Sequence, residues 1–409
     1  MLLSVLLALT VIMLTARLVG AVFAKLNQPA VIGEVVGGIM LGPSLLGRIA
    51  PGWQAMVLPP ETAPTLSVIA QLGVILYMFL VGLELDLSLL RTSLSKTVII
   101  SLSAIIVPFV LGTGLSLALY GSLAAPGIDR SSFVLFIGVA LSITAFPVLA
   151  RILEDRQLQR THLGTLALAC AAINDAIAWC LLAFVVSVTQ ATPAAAIRTA
   201  LLTALYITVM VTTGRTVAAM AVARLDRSPR IGEQSVALVL VAVLLSAVAT
   251  EFIGIHAIFG AFFLGAIVPP QSRIARELVE RLEDLVVVLL LPAFFAFTGM
   301  RTQIGLVSSG AEWLICGVII LVATVGKFGG SFLAARVTGL GWRDSASLGI
   351  LMNTRGLMEL IVLNIGLDLG VIGPRLFAML VIMAIVTTFA TTPILDLIQG
   401  VRGGVPEKS

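Results

Sequence analysis

Charge is what this chain has least of. Of its 409 residues, 11% are Asp, Glu, Lys or Arg and 59% are hydrophobic, and mean hydropathy is +1.12. That is far too little polar surface to coat a soluble globule, so a water-soluble enzyme or binding domain is excluded as the default class. Cysteine is nearly missing too: Cys170, Cys180 and Cys316 all fall in apolar runs. The first two lie about 15 Å apart along a helix, too far to bridge, and neither a disulfide nor a cysteine metal site is expected. No A-x-A cleavage pattern follows the first apolar run, Leu2 to Phe23, which reads as a retained helix and not as a signal peptide. A phosphate loop, a nucleophile–base pair and metal-ligand spacing are all lacking, which argues against an enzyme and against any cofactor.

What the chain has instead is about thirteen apolar stretches, each long enough for a membrane helix. They cover residues 2–23, 30–48, 66–84, 95–119, 133–152, 162–189, 196–222, 235–250, 254–270, 284–300, 311–335, 345–367 and 374–398. The fold class expected is an all-α polytopic membrane protein. Loop bases fall unevenly about it. Alternate loops on one side keep only Arg48, Arg130, Arg198, Arg301 and Arg375. The other side holds Lys25, Arg91, Lys96, Arg151, Arg156, Arg160, Arg224, Arg227, Arg230, Arg273, Arg276, Arg281, Arg336, Arg343, Arg402 and Lys408. With positive charge retained inside, the N-terminus is outside and the C-terminus cytoplasmic, as for a protein of the plasma (inner) membrane. The net charge of +4 therefore reads as topology, not as affinity for nucleic acid. No loop is long enough for a soluble domain, and a short tail, 401–409, follows the last stretch.

Taking the seventh stretch as a connector makes stretches one to six and eight to thirteen run in opposite directions, the inverted-repeat layout of many secondary transporters. The fifth stretch contains Leu141-Ser142-Ile143-Thr144-Ala145-Phe146-Pro147, and its counterpart, the twelfth, contains Met352-Asn353-Thr354-Arg355-Gly356. Proline removes a backbone donor, and an amide, a hydroxyl, a cation and a glycine in mid-span are poor helix and poor lipid partners. Both stretches are expected to unwind at mid-membrane, and the half-helix ends so produced carry partial charges of both signs.

Ionisable groups within the apolar stretches are few, and each needs an account. Asp175 follows Asn174 in Ala171-Ala172-Ile173-Asn174-Asp175-Ala176, deep in the sixth stretch. An acid there costs several kcal/mol if it faces lipid, so it is expected to face the interior and to handle protons or ions. Arg355 and Glu359 are spaced for an i,i+4 pair that holds the broken twelfth helix. Lys327, flanked by Gly326, Gly329 and Gly330, lies roughly 13 Å from Arg336 at the cytoplasmic end, beyond easy snorkelling. Its partner is therefore Asp175, Asn174 or the negative end of a half-helix. Glu34 reads as a funnel or helix-end residue and His256 as packing. One carboxylate with two competing occupants has a direct consequence. If an alkali cation binds Asp175 only once the proton has left, and the site crosses only when loaded, cation and proton are exchanged. Asn174 and Thr144 would add neutral oxygens to the cation, hard ligands suited to Na⁺ or K⁺.

The residues also resemble a known family. Gln28-Pro29-Ala30-Val31-Ile32-Gly33-Glu34, Gly38-Ile39-Met40-Leu41-Gly42-Pro43-Ser44, Gly82-Leu83-Glu84-Leu85-Asp86, Thr144-Ala145-Phe146-Pro147, Ile173-Asn174-Asp175, Gly326-Lys327 and Asn353-Thr354-Arg355-Gly356-Leu357-Met358-Glu359 are similar to motifs of the monovalent cation:proton antiporter-2 family, nearest its Kef-like and plant cation/H⁺ exchanger branches. The resemblance covers nearly the whole chain. It implies a homodimer with scaffold helices in 1–92 and 231–303, core helices in 93–190 and 304–400, and a linker helix in 191–230. It also implies that the two unwound helices cross in the core. The roles implied are ion and proton binding at Asp175, support from Asn174 and Thr144, charge compensation by Lys327, and stabilisation by Arg355 and Glu359. Many relatives carry a large C-terminal regulatory domain, and ligand gating of that kind is not expected here. The Asn-Asp pair, with its single acid, leads us to expect one-for-one, electroneutral exchange. The alternatives are a K⁺ efflux channel on the same fold, which the absence of a Thr-Val-Gly-Tyr-Gly-like filter disfavours, and a Na⁺-coupled organic solute carrier, for which the core has few polar residues.

Overall fold

A computed structural model describes residues 2–84, 94–159, 161–189, 193–225, 232–269 and 272–400. Leu85, Asp86, Arg91, Arg160, Arg227, Arg230 and the tail 401–409 lie outside the described residues. The described chain is helical nearly throughout. The first stretch forms α1 (Leu2–Lys25). The second forms α2 (Ala30–Leu41), followed by the short α3 (Leu46–Ile49) and α4 (Pro51–Val57). The third and fourth are α5 (Ala63–Glu84) and α6 (Leu94–Leu123). The fifth is divided into α7 (Arg130–Ser142) and α8 (Phe146–Asp155), and the sixth is α9 (His162–Thr189). The connector is α10 (Pro193–Val209) and α11 (Arg215–Leu225), joined by a π-helical turn, Met210–Gly214. Then come α12 (Glu233–Ile253), α13 (Ala257–Ile267), α14 (Arg273–Leu285) and α15 (Leu291–Arg301). The last are α16 (Gly310–Val337), the twelfth stretch as α17 (Trp342–Met352) and α18 (Leu357–Asp368), and α19 (Pro374–Gln399).

Among the described residues eleven spans are long and apolar enough to cross a membrane, and the bent α17–α18 pair makes a twelfth. The ninth expected stretch is the exception, because its helix α13 has only 11 residues. Its start is delayed by a sharp corner. Gly254 caps α12 in the left-handed region (φ 96°) and His256, at φ 80°, is the N-cap of α13. The loop expected around Arg273, Arg276 and Arg281 is likewise the helix α14. Ser272 caps it through Ala275 N–H, and Ile274, Leu278 and Leu282 are buried on one stripe of an otherwise charged helix.

The chain divides into two compact units. One comprises residues 1–17, 37–88 and 183–301, where described. Its apolar core includes Ala8, Ile12, Leu41, Val57, Leu58, Leu66 and Ala296. Small residues let its helices meet backbone to backbone, as membrane helices must when lipid offers no hydrophobic gain. A Cβ on Gly82 of α5 would stand 2.4 Å from Phe262 O of α13, and one on Gly265 of α13 would stand 2.3 Å from Phe79 O.

The other unit comprises residues 18–36, 89–182 and 302–409, where described. Here α16 crosses α6 at two glycines. A Cβ on Gly326 would lie 2.8 Å from Pro108 Cα, and one on Gly330 would lie 2.8 Å from Ser103 O. Ser103 Oγ also donates to Gly330 O at 2.8 Å. This close approach aims the next residue, Lys327, into the unit's interior, where it is fully buried.

Candidate ion-binding site

The site is assembled from two interrupted helices of the second unit. Between α7 and α8 the chain is extended at Ile143 and Ala145, and Pro147 sits in the first turn of α8, where its missing N–H costs nothing. Between α17 and α18 the interruption is Asn353 to Gly356. The two breaks bond to one another. Ala145 N–H donates to Thr354 O at 3.0 Å, and Thr144 Oγ1 donates to Met352 O at 3.1 Å. Each break thus supplies partners for backbone groups that the other has freed, as buried backbone requires.

Helix α7 ends in unsatisfied carbonyls and carries the partial negative charge of a helix C-terminus. Two cations take that end. The Arg355 guanidinium donates from Nη1 to Ala140 O at 2.9 Å and from Nη2 to Leu141 O at 2.7 Å. Lys327 Nζ donates to Ser142 O and, at 2.9 Å, to Ala104 O of α6. Ala104 stands four residues before Pro108, which has no N–H for it, so the proline that interrupts the α6 ladder leaves a carbonyl for the lysine. Of the three partners considered for Lys327, the half-helix end is the one it bonds, with Asp175 and Glu359 in electrostatic reach. Arg355 also pairs with Glu359, Nη1 to Oε2 at 2.8 Å, with both side chains fully buried.

Asn174 and Asp175 come from α9, at 0% and 2% exposure. Ala171, Ala172 and Ala178 are buried beside them and let neighbouring backbone approach. The Asp175 carboxylate lies in electrostatic reach of Lys327 and of the Phe146 N–H, the first of α8. A half-helix N-terminus favours an anion, so the carboxylate stands at the positive end of one half-helix while Lys327 holds the negative end of the other. Both Asp175 oxygens and both polar atoms of the Asn174 amide are buried without a well-aligned hydrogen bond, the Phe146 N–H being the donor that faces the carboxylate. Buried polar groups are nearly always satisfied, and these four atoms lie on adjacent residues.

Other expected residues fall elsewhere. Glu34 is buried at 6% exposure in α2, its Cγ 3.4 Å from a Cβ placed on Gly20, so it is not an open funnel residue. His256 caps α13 in the first unit. Ala104, Pro108 and Thr388 were not anticipated. Thr388 of α19 bonds the backbone of Arg355, and only the position of the break in α17–α18 gives it a task.

Two broken helices bonded to one another at their breaks, in a unit that buries a carboxylate, fit an ion-coupled membrane carrier of the inverted-repeat class. The family described as sodium/hydrogen exchanger, transmembrane, matches residues 11–397, and the chain belongs to that family. Among its relatives, the Na⁺/H⁺ antiporter NhaS4 of Synechocystis sp. is 45% identical over 397 residues, 96% of each chain. The K⁺/H⁺ antiporter 1 of Saccharomyces cerevisiae is 34% identical over 406 residues, 96% of this chain and 46% of that protein. The chain thus spans about half the length of the yeast relative, and likewise of the plant relatives it matches. In fold it is similar to the sodium proton antiporter MjNhaP1 of Methanocaldococcus jannaschii, with a TM-score of 0.65 at 16% identity over 97% of this chain and 96% of that one.

Proposed function

We propose that the protein is a secondary antiporter that exchanges a monovalent cation, Na⁺ or K⁺, for H⁺, with the two competing for Asp175. The observation that carries this reading is the group of four buried polar atoms on Asn174 and Asp175 without a well-aligned hydrogen bond. A dehydrated alkali ion takes hard oxygens, and the Asp175 carboxylate and the Asn174 carbonyl supply them, with Thr144 at the adjacent break. When the proton occupies the carboxylate, the cation has lost its only charged ligand. Exchange follows if the unit carrying the two breaks moves only when loaded. Lys327 and Arg355 then serve as fixed countercharges on the end of α7, and Glu359 balances Arg355. Relatives named as antiporters favour this reading over a channel or an organic solute carrier.

On the same reading, residues 93–190 and 304–400 form the moving core, 1–92 and 231–303 the scaffold and 191–230 the linker, except that 18–36, which pack in the unit of the two breaks, go with the core. The protein is a homodimer in the plasma (inner) membrane with its C-terminus in the cytoplasm, and a single titrating acid makes the exchange one for one. The test is proton movement in proteoliposomes with a preset pH gradient. Wild type should dissipate the gradient on addition of Na⁺ or K⁺, and Asp175→Asn should not. Exchange that survives the substitution sinks the proposal.

A further inference from the structure

The break between α17 and α18 is held from a third element. Asn353 N–H and Thr354 N–H close tight turns onto Ile350 O and Leu351 O, each at 3.1 Å, and Leu360 N–H takes Gly356 O at 3.1 Å. Met352 O and Thr354 O go to the other break, as described. Arg355 differs, because its N–H and its C=O both meet one side chain. Thr388 Oγ1, on α19, accepts from Arg355 N–H at 2.8 Å and lies 2.7 Å from Arg355 O. The same hydroxyl lies 2.8 Å from Ala384 O, one turn back in its own helix. It has one proton, so it bonds one of these carbonyls at a time while accepting from the Arg355 N–H throughout.

The position of Thr388 has a counterpart in the first repeat. There, the helix that follows the broken span is α9, and the residue meeting the break is Asp175, opposite the Phe146 N–H. In the second repeat the following helix is α19, and the residue meeting the break is Thr388. Thr388 is 1% exposed and borders a small cavity lined also by Val35, Arg355, Gly356, Leu360 and Ala384. The break therefore has open space beside it on the side where the hydroxyl holds it. Thr388 Oγ1 is the acceptor of the Arg355 N–H, and a buried donor orphaned by its loss is relieved by moving the segment that bears it.

We propose that Thr388 is a positioning residue of the exchange site. By holding both backbone groups of Arg355, it sets the guanidinium on Ala140 O and Leu141 O, and so sets the end of α7 whose last carbonyl binds Lys327. When the hydroxyl turns its proton to Ala384 O, the Arg355 carbonyl is released and the break is free to shift. The inference rests on the antiport reading, because what Thr388 positions is the charge set around Asp175.

The test compares wild type with Thr388→Val, Thr388→Ala and Thr388→Ser in proteoliposomes, measuring initial cation-driven proton flux against cation concentration at a series of pH values. Valine keeps the shape without the hydroxyl, and alanine cannot clash beside the cavity. Both should lose about tenfold in maximal rate, the effect of one misplaced hydrogen-bonded group, and should displace the pH profile. Serine, which keeps the hydroxyl, should restore both to within about twofold on the same basis. Valine and alanine variants with wild-type rates and pH profile overturn the proposal, as does a serine variant as impaired as alanine. Should valine and alanine variants fail to fold while serine folds, Thr388 is structural and the proposal also falls. A wild type that moves no protons in response to either cation refutes the antiport reading instead.

Discussion

The buried Arg355–Glu359 pair makes a large energetic demand on the second unit. With Asp175 and Lys327 it forms a set of two acids and two bases at 0–2% exposure. Removing one member leaves an odd buried charge, and breaking a buried pair costs about 3–5 kcal/mol. Glu359→Leu keeps the guanidinium on Ala140 O and Leu141 O, which places its cost at about 3 kcal/mol. Arg355→Leu loses the pair and both carbonyl bonds. Hydrogen bonds within membranes average about 0.6 kcal/mol, so the total is roughly 4–6 kcal/mol. The double variant Arg355→Leu/Glu359→Leu loses the same two carbonyl bonds but buries no odd charge, and should cost only about 1–2 kcal/mol. The charge term decides the order, because it exceeds the hydrogen-bond term several-fold. In thermal unfolding of the detergent-purified protein, the double variant should therefore melt above Arg355→Leu alone. Losses that add, or a double variant less stable than Arg355→Leu, refute the argument that these charges balance one another inside the unit.

Three further outcomes are expected. Pro108→Ala restores an N–H that competes with Lys327 Nζ for Ala104 O, so the variant should be more thermostable by up to about 3 kcal/mol, the scale of a helix-interior proline, and slower in proton flux. An unchanged flux means the freed carbonyl is not used. Gly82→Val places a Cβ 2.4 Å from Phe262 O, a backbone atom that cannot swing aside. The cost should reach or exceed about 3 kcal/mol, read as loss of the monodisperse peak in gel filtration, and a normal peak contradicts it. Asp129 caps α7 from outside the membrane span, and hydrogen bonds, first that of the Ser131 hydroxyl, hold its carboxyl below the usual carboxylate range. A pKa depressed in the folded state contributes stability above the unfolded value of about 3.9, and that stability is lost as pH falls through the folded value. Wild type should therefore melt above Asp129→Asn at neutral pH, with the gap closing below about pH 4. A gap independent of pH contradicts this.

Much of this arrangement was legible because an ionisable residue in an apolar run is a large energetic anomaly. Asp175, Lys327, Arg355 and Glu359 stand out for that reason, and all four are buried in one unit. The interruptions at Thr144 and at Asn353 to Gly356 were legible from proline, glycine and polar residues at matching places. The partners of these groups were not. Ala104 O and Ser142 O are backbone atoms that no residue type advertises, and Pro108 looks like any kink in a membrane helix. Thr388 bonds Ala384 O one turn back, as threonines in helices commonly do, so its second bond, to a break 33 residues earlier, leaves no local trace. The shortness of α13 was hidden because Gly254 and His256 turn the chain without interrupting its hydrophobicity. In α14 the density of charge concealed a buried stripe.

The bonds between the two breaks also bear on how the protein is made. Thr144 Oγ1 and its acceptor Met352 O are 208 residues apart. At roughly 5–20 residues per second, the ribosome delivers the second about 10–40 s after the first. During that interval the fifth span has an unwound segment at membrane depth whose partners do not yet exist, a state that bare hydrocarbon does not tolerate. Water or the insertion machinery must shelter it until α17 and α18 emerge. The step at which the nascent chain is most exposed to mis-insertion is thus the wait between its two halves, and a truncation before residue 352 never leaves it.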